Sequence, residues 1–269
     1  MALRPGVAAI LSFGVPGLAH LHVGRPVRAI LAFASVCGLF ALGYALLQDR
    51  LWHLSAVPAQ GWMRWFPVLL QPEFVNFGCT SVAALLRGAD SPEALRHILL
   101  PRPGEHLAML ATGASGFCAA FWAADAHWLA GGARLGRIAP SAAAALSWVL
   151  PGAGHVAAGQ RSKGVLLGVV VILTFALGIV FGGGHSCDRA QMPFWWAGQS
   201  IFGGGVAFAA LWTGPQKMLE YPPMFDLGVI LCTVAGLMNA MVMTDAWTVA
   251  ERDAAAEEPA TAVAPEASA

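Results

Sequence analysis

Two decapeptides decide how this chain is read: VPGLAHLHVG at residues 15–24 and LPGAGHVAAG at residues 150–159. Each has a Pro-Gly pair, a histidine four residues past the proline and a glycine four beyond the histidine. The histidines His20 and His155 stand 135 positions apart, and at that offset Ser12 meets Ser147 and the tetrapeptide FALG at 40–43 meets FALG at 175–178. A second pair of stretches, GFCAAFWAADAHWLA at 116–130 and GLMNAMVMTDAWTVA at 236–250, aligns at an offset of 120 and puts Asp125 on Asp245. Pro67 with Pro193 and Gly88 with Gly214 give a middle match at 126. The offset shrinks stepwise, as it should when the first copy of a duplicated unit has longer loops. The chain therefore divides into a first repeat at 1–135, a second at 136–250 and a tail at 251–269.

Composition says what the repeats are made for. Hydrophobic residues fill 57% of the 269 positions and charged residues 11%, against about 25% charged in a soluble domain. Apolar runs approach the roughly 20 residues that a helix needs to cross a bilayer. The class implied is an all-α integral membrane protein with about eight transmembrane segments, arranged as two four-helix repeats. The segments fall near 6–23, 27–47, 68–87 and 107–130 in one copy, and near 140–158, 162–181, 194–213 and 227–249 in the other. Several of the ten tryptophans, among them Trp52, Trp62, Trp65, Trp128, Trp195 and Trp196, fall near segment ends, where amphipathic rings settle at the headgroup level. Acidic and basic residues balance at fifteen each, so no nucleic-acid partner is indicated. The tail is acidic and without aromatics, a composition that reads as disordered.

The start of the chain, an arginine followed by an apolar stretch and small residues, imitates a signal peptide. Its recurrence near residue 140 makes it instead a retained fold element. About ten helical residues before Pro16 reach only about 15 Å, half of a hydrocarbon core of about 30 Å. The first helix of each repeat is therefore kinked or re-entrant. Four full spans per copy would give parallel repeats. Three spans plus a re-entrant piece would give inverted ones, the arrangement common in transporters. Basic residues divide almost evenly between the two sides under either topology, so the positive-inside rule does not choose. Arg25 and Glu251 are expected on opposite faces.

Pro16 and Pro151 each remove a backbone donor, and Gly17 and Gly152 permit a sharp bend. His20 and His155 would then lie over the disrupted turn and bond a freed carbonyl, with Gly24 and Gly159 closing the element. As an alternative, the matched histidines could hold one haem between the copies; otherwise no cofactor is implied. Asp125 and Asp245 are the other candidates, since an ionisable residue in a spanning segment is a functional candidate by default. Each follows a ladder of small residues suited to close packing: Thr112, Gly116, Ala120 and Ala124, or Cys232, Gly236, Ala240 and Thr244. Nine residues from Gly116 to Asp125 turn the helix by about 180°, so the aspartate points to Arg or His of another helix or to a polar cavity. The five cysteines form no CxxC pair, no catalytic motif appears, and the HSCD run at 185–188 lacks sequence partners for a metal.

The P-G-x-x-H-x-x-x-G element, with basic residues and a spanning helix after it, resembles the two-helix transmembrane domain of bacterial and animal membrane proteins. Residues 140–250 look still more like a bacterial membrane family of unknown function, with 5–130 a weaker match. The aromatic pair of the two-helix family is replaced by His22-Val23 and Ala157-Ala158. The resemblance implies a fold and no reaction. The expected role is a non-enzymatic, multi-pass protein of a bacterial cytoplasmic membrane, an accessory or scaffold subunit whose partners are the bilayer and other membrane subunits. A small-solute or ion transporter using the repeat interface is the first alternative, and a haem-binding electron-transfer subunit the second.

Overall fold

A computed structural model describes residues 3–48, 51, 70–86, 104–132, 136–189, 192–213 and 222–256. The regular elements among these residues are helical. The first copy contains α1 (Pro5–Gly14), α2 (Leu18–His22), α3 (Pro26–Leu47), a 3-10 turn (Pro72–Val75), α4 (Phe77–Leu86) and α5 (Glu105–Ala130). The second contains α6 (Pro140–Val149), α7 (Ala153–Ala157), α8 (Arg161–Phe181), α9 (Pro193–Gln199), α10 (Gly203–Thr213) and α11 (Phe225–Ala256). Four of them, α3, α5, α8 and α11, are long and apolar enough to cross a membrane.

Among the described residues these four reach spanning length out of the about eight expected segments, and the first segment of each copy is broken, as a kinked or re-entrant first helix requires. The run over 6–23 breaks at Pro16-Gly17, because proline cannot donate to the helix ladder and Gly17 sits at φ 86°. The run over 140–158 breaks the same way, with Gly152 at φ 81°. The described part of 68–87 and the whole of 194–213 each split in two, the 3-10 turn or the seven-residue α9 being followed by a helix of ten or eleven residues. Trp52, Trp62, Trp65, Pro67, Gly88 and Gly214 lie outside the described residues. The expected tail at 251–269 is also shortened. Helix α11 continues to Ala256, held where Asp253 accepts the Arg137 N–H and Gly136 packs on Ala254.

Small residues set the packing. Gly43 of α3 lies against Ala108 and Thr112 of α5, and Gly178 of α8 lies against Gly228 and Cys232 of α11. Gly116 abuts the Pro72 carbonyl, and Gly236 abuts that of Gly198. A side chain at any of these positions would drive the backbones apart. Gly78 meets the Gly14 carbonyl and Gly204 that of Val149, so α4 and α10 start where α1 and α6 stop. These contacts repeat at the sequence offsets of 135, 126 and 120.

The same contacts orient the chain. Pro5 lies beside Gly131, Arg28 and Ser141 reach Asp125, and Arg137 reaches Asp253. The start of each copy, the motif glycines and the C-terminal ends of α5 and α11 thus share one end of the bundle. Arg25 and Glu251 lie at that same end, opposite to expectation; among the described residues two long helices, not an odd number, stand between the entry to each copy and its exit. Ile30 and Phe33 on α3 and Leu166 and Leu173 on α8 face outward, so these helices turn apolar side chains to their surroundings.

Candidate functional site

The repeated motif is a complete one-turn helix with its own start and stop. Val15 ends α1 by donating to the Leu11 carbonyl at 2.8 Å. Gly17 then takes the left-handed conformation and presses on the Ala29 backbone. Further on, Gly24, at φ 72°, closes α2. Its N–H donates to Leu21, and the Arg25 N–H donates to the His20 carbonyl at 2.8 Å. This pair of bonds is the Schellman stop signal. Gly159 and Gln160 repeat it on Val156 and His155, again with a 2.8 Å outer bond. The His-to-Gly spacing is thus fixed by backbone geometry, which also aims both imidazoles inward.

Each imidazole meets the aspartate of its own copy. His20, fully buried, donates from Nε2 to Asp125 at 3.1 Å, across 105 positions of sequence. The expected bond from this histidine to a freed carbonyl does not form, because its own Nε2 is committed to the carboxylate. It is the neighbouring His22 that bonds the Leu18 carbonyl. Arg28 adds one Nη1 at 2.7 Å from both oxygens of Asp125, and the Ser141 hydroxyl donates to it at 2.7 Å. Trp122 packs edge-on to the His20 ring and itself donates to Ser35. In the second copy His155 Nε2 and Lys163 Nζ both reach Asp245 at 2.6 Å. Pro16, Gly17, His20 and Gly24 thus form one unit with Asp125, and Pro151, Gly152, His155 and Gly159 form one with Asp245.

Surroundings distinguish the two. The Asp125 side chain is 2% exposed and that of Asp245 42%. Ser141, at the start of the second copy, covers Asp125; among the described residues nothing beyond the second copy does the same for Asp245. The Nδ1 atoms of both histidines are buried without a partner among the described residues.

A second polar cluster carries no sequence motif. Glu73, in the 3-10 turn, pairs at 2.5 Å with Arg189 from the loop before α9, and both are buried. Arg189 also donates to the Met109 carbonyl, and its guanidinium lies 4.7 Å from the centre of the Trp196 ring. Thr112 donates to the same Glu73 oxygen at 3.4 Å. At the 126-residue offset Glu73 corresponds to Gln199. The Gln199 amide donates to the carbonyls of Ser186 and Val229 and to Thr233, all in its own copy. The signal available in the sequence was this Glu/Gln pair inside otherwise matched apolar runs.

A cavity of about 90 Å³ lies beside Trp196, between α5 and the second copy, and Leu110, Phe117, Trp148 and Val206 are in its wall. Among the described residues of that wall, Ser200 brings the one hydroxyl, so the space offers little to a charged or polar solute. In the HSCD loop, burial, together with Cys232 and Asp188, pushes the Cys187 thiol well above its ordinary range. No group of three or more metal-capable side chains occurs among the described residues.

Comparison with known families takes the duplication further. A profile for a family of unknown function matches residues 7–130 and again residues 142–258. The chain belongs to DUF6677. Both matches run from the first helix of a copy to its aspartate-bearing last helix, so the His-Asp unit falls inside the DUF6677 domain in each case. The likeness to the two-helix transmembrane family is not what the match reports. No curated protein and no solved structure matches the chain.

Proposed function

We propose that this tandem DUF6677 chain is a multi-pass protein of a bacterial cytoplasmic membrane, serving as a non-enzymatic accessory or scaffold subunit of a membrane assembly. In this reading each copy contributes two full spans, α3 with α5 or α8 with α11. The short helices enter from opposite sides and meet near the middle, which makes the repeats parallel although their first helices re-enter. One observation carries the scaffold role: the carboxylates Asp125, Asp245 and Glu73 are each spent on joining elements, through Arg28, Lys163 and Arg189. Asp125 and Glu73 are in addition buried, so their ion pairs fasten one element to another inside the bundle. Purification in mild detergent tests the idea; a co-purifying subunit or a larger assembly is expected, and a lone monomer overturns it.

The transporter alternative draws support from a different feature. Interrupted helices whose ends meet inside a bundle are a recurrent way to build a midplane binding site, and the Gly14–Gly78 and Val149–Gly204 junctions are of that kind. Replacing Asp125 and Asp245 with asparagine would then abolish solute uptake in vesicles while the protein still accumulates. Haem binding has less behind it, because both Nε2 atoms are engaged by aspartate; a purified protein without a Soret band removes it.

A further inference from the structure

The two copies meet through different surfaces. On the first copy, α5 offers a stripe of Leu110, Ala114, Phe117, Phe121 and Asp125. On the second, α6 and α10 lie over that stripe, leaving its four apolar members half-buried and Asp125 buried. Trp148 stacks on Phe117 with ring centres 4.9 Å apart and leans on Phe121, while Ser141 bonds Asp125. Pro140, Ser141 and Ala144 are buried in this contact.

An interface of this kind leaves one of each surface unused. At the offset of 120, the covered stripe of α5 corresponds to Ile230, Val234, Leu237, Met241 and Asp245 on α11. The four apolar members are all exposed, Met241 to 73%, and the stripe ends in a half-exposed carboxylate, as its covered twin ends in a buried one. On the first copy, the counterparts of the buried docking residues Pro140, Ser141 and Ala144 are Pro5, Gly6 and Ala9, none of them buried, and Phe13 stands where Trp148 does. Phe77, which corresponds to Gly203 beside Trp148, is 65% exposed.

We infer that a second copy of this chain docks head to tail, laying the outer side of its α1 and α4 on the Ile230–Met241 stripe of α11. The contact reuses the geometry already present between the repeats. Such an interface is heterologous, so successive chains close into a ring or continue as a row. Gly6 has no hydroxyl to offer Asp245 where Ser141 serves Asp125, so the contact between chains lacks one hydrogen bond of the internal one. This inference rests on the scaffold reading and names the subunit that it would join.

The test places the photocrosslinking residue benzoylphenylalanine at position 241 of the full chain, in membranes that also hold a differently tagged wild-type copy. The expected product is an adduct of two chains whose linked peptide contains residues near Phe13 or Phe77, with a detergent-corrected particle mass at least twice that of one chain. The same probe at Leu166, 66% exposed on α8 and matched by the exposed Leu31, should give no such adduct. Adducts with lipid alone, adducts with a different protein, or two chains joined through their α11 helices would each overturn the inference. Capture of a different protein leaves the scaffold reading standing. Lipid adducts with a monomeric particle remove both.

Discussion

Glu73 and Gln199 occupy equivalent places in the two copies, yet the glutamate is bound across the repeat interface and the glutamine within its own copy. Gln199 donates to the Val229 carbonyl; a carboxylate cannot do the same for the equivalent Met109 carbonyl. Arg189 supplies the missing donor and neutralises the charge at once. The pair therefore makes the copies non-interchangeable and fixes which faces meet.

Breaking a buried ion pair by removing one partner costs about 3–5 kcal/mol, whereas replacing both can be nearly neutral. Glu73→Gln alone strands the Arg189 guanidinium, and Arg189→Leu alone strands the carboxylate. Each single variant should unfold at much lower SDS fraction in a denaturation series. In the double variant the introduced amide can donate to the Met109 carbonyl as Gln199 does to that of Val229, so most of the loss should be recovered. A double variant that behaves as the sum of the two singles would show that the pair is not coupled.

The His-Asp units should differ in cost although their chemistry is shared. His20→Ala leaves the buried Asp125 without one of its donors and opens a void beside Trp122, a loss of about 2 kcal/mol or more. His155 is equally buried, so His155→Ala leaves a void of the same kind. It acts, however, on an Asp245 that is half in contact with solvent or headgroups and keeps Lys163, so the lost pairing adds under about 1 kcal/mol and the total loss should be the smaller one. Parallel thermal-aggregation curves of the two variants in one detergent would show the asymmetry, and equal shifts would contradict it.

Much of this was legible in the sequence, and the boundary is physical. The duplication and the bend at Pro16-Gly17 followed from spacing, because backbone punctuation is local, and Asp125 and Asp245 stood out as ionisable residues at matched places in apolar segments. That His20 belongs with Asp125 was not legible, since the two are 105 residues apart and no periodicity links them. The break at Ser200–Phe202 was hidden for a related reason. The run 194–213 stays apolar through it, so hydropathy counts it as one span while Gly203 and Gly204, packed against Trp148 and Val149, restart the helix. The Glu73–Arg189 pair joins a short turn to a loop, where apolar patterning carries no information.

The motif glycines separate into two kinds. Gly17 combines a left-handed φ of 86° with a backbone neighbour, Ala29, where a Cβ would have to sit. Gly24 has φ 72° and open space around it. Gly24→Ala should therefore lose only the left-handed conformational term, about 1–2 kcal/mol, and fold. Gly17→Ala adds a collision that only a shift of α2 away from α3 relieves, and it should abolish accumulation in the membrane. Gly152, pressed on the Gly164 carbonyl, should behave like Gly17. Immunoblots of membrane fractions compare the three substitutions directly.

Topology supplies the remaining expectation. Gly24 precedes α3 and Gly131 follows α5, and the Arg28–Asp125 and Pro5–Gly131 contacts put both at one end of the bundle. Arg137 and Asp253 carry the same end into the second copy. Single cysteines at Gly24, Gly131 and Glu251, in a background freed of the five native thiols, should all react with a membrane-impermeant maleimide from the same side. A cysteine at Gln48, just after the C-terminal end of α3, should react from the other. Labelling of the position-24 and position-251 variants from opposite sides would require an odd number of crossings between them. The parallel arrangement, and with it the head-to-tail contact between chains, would then be excluded.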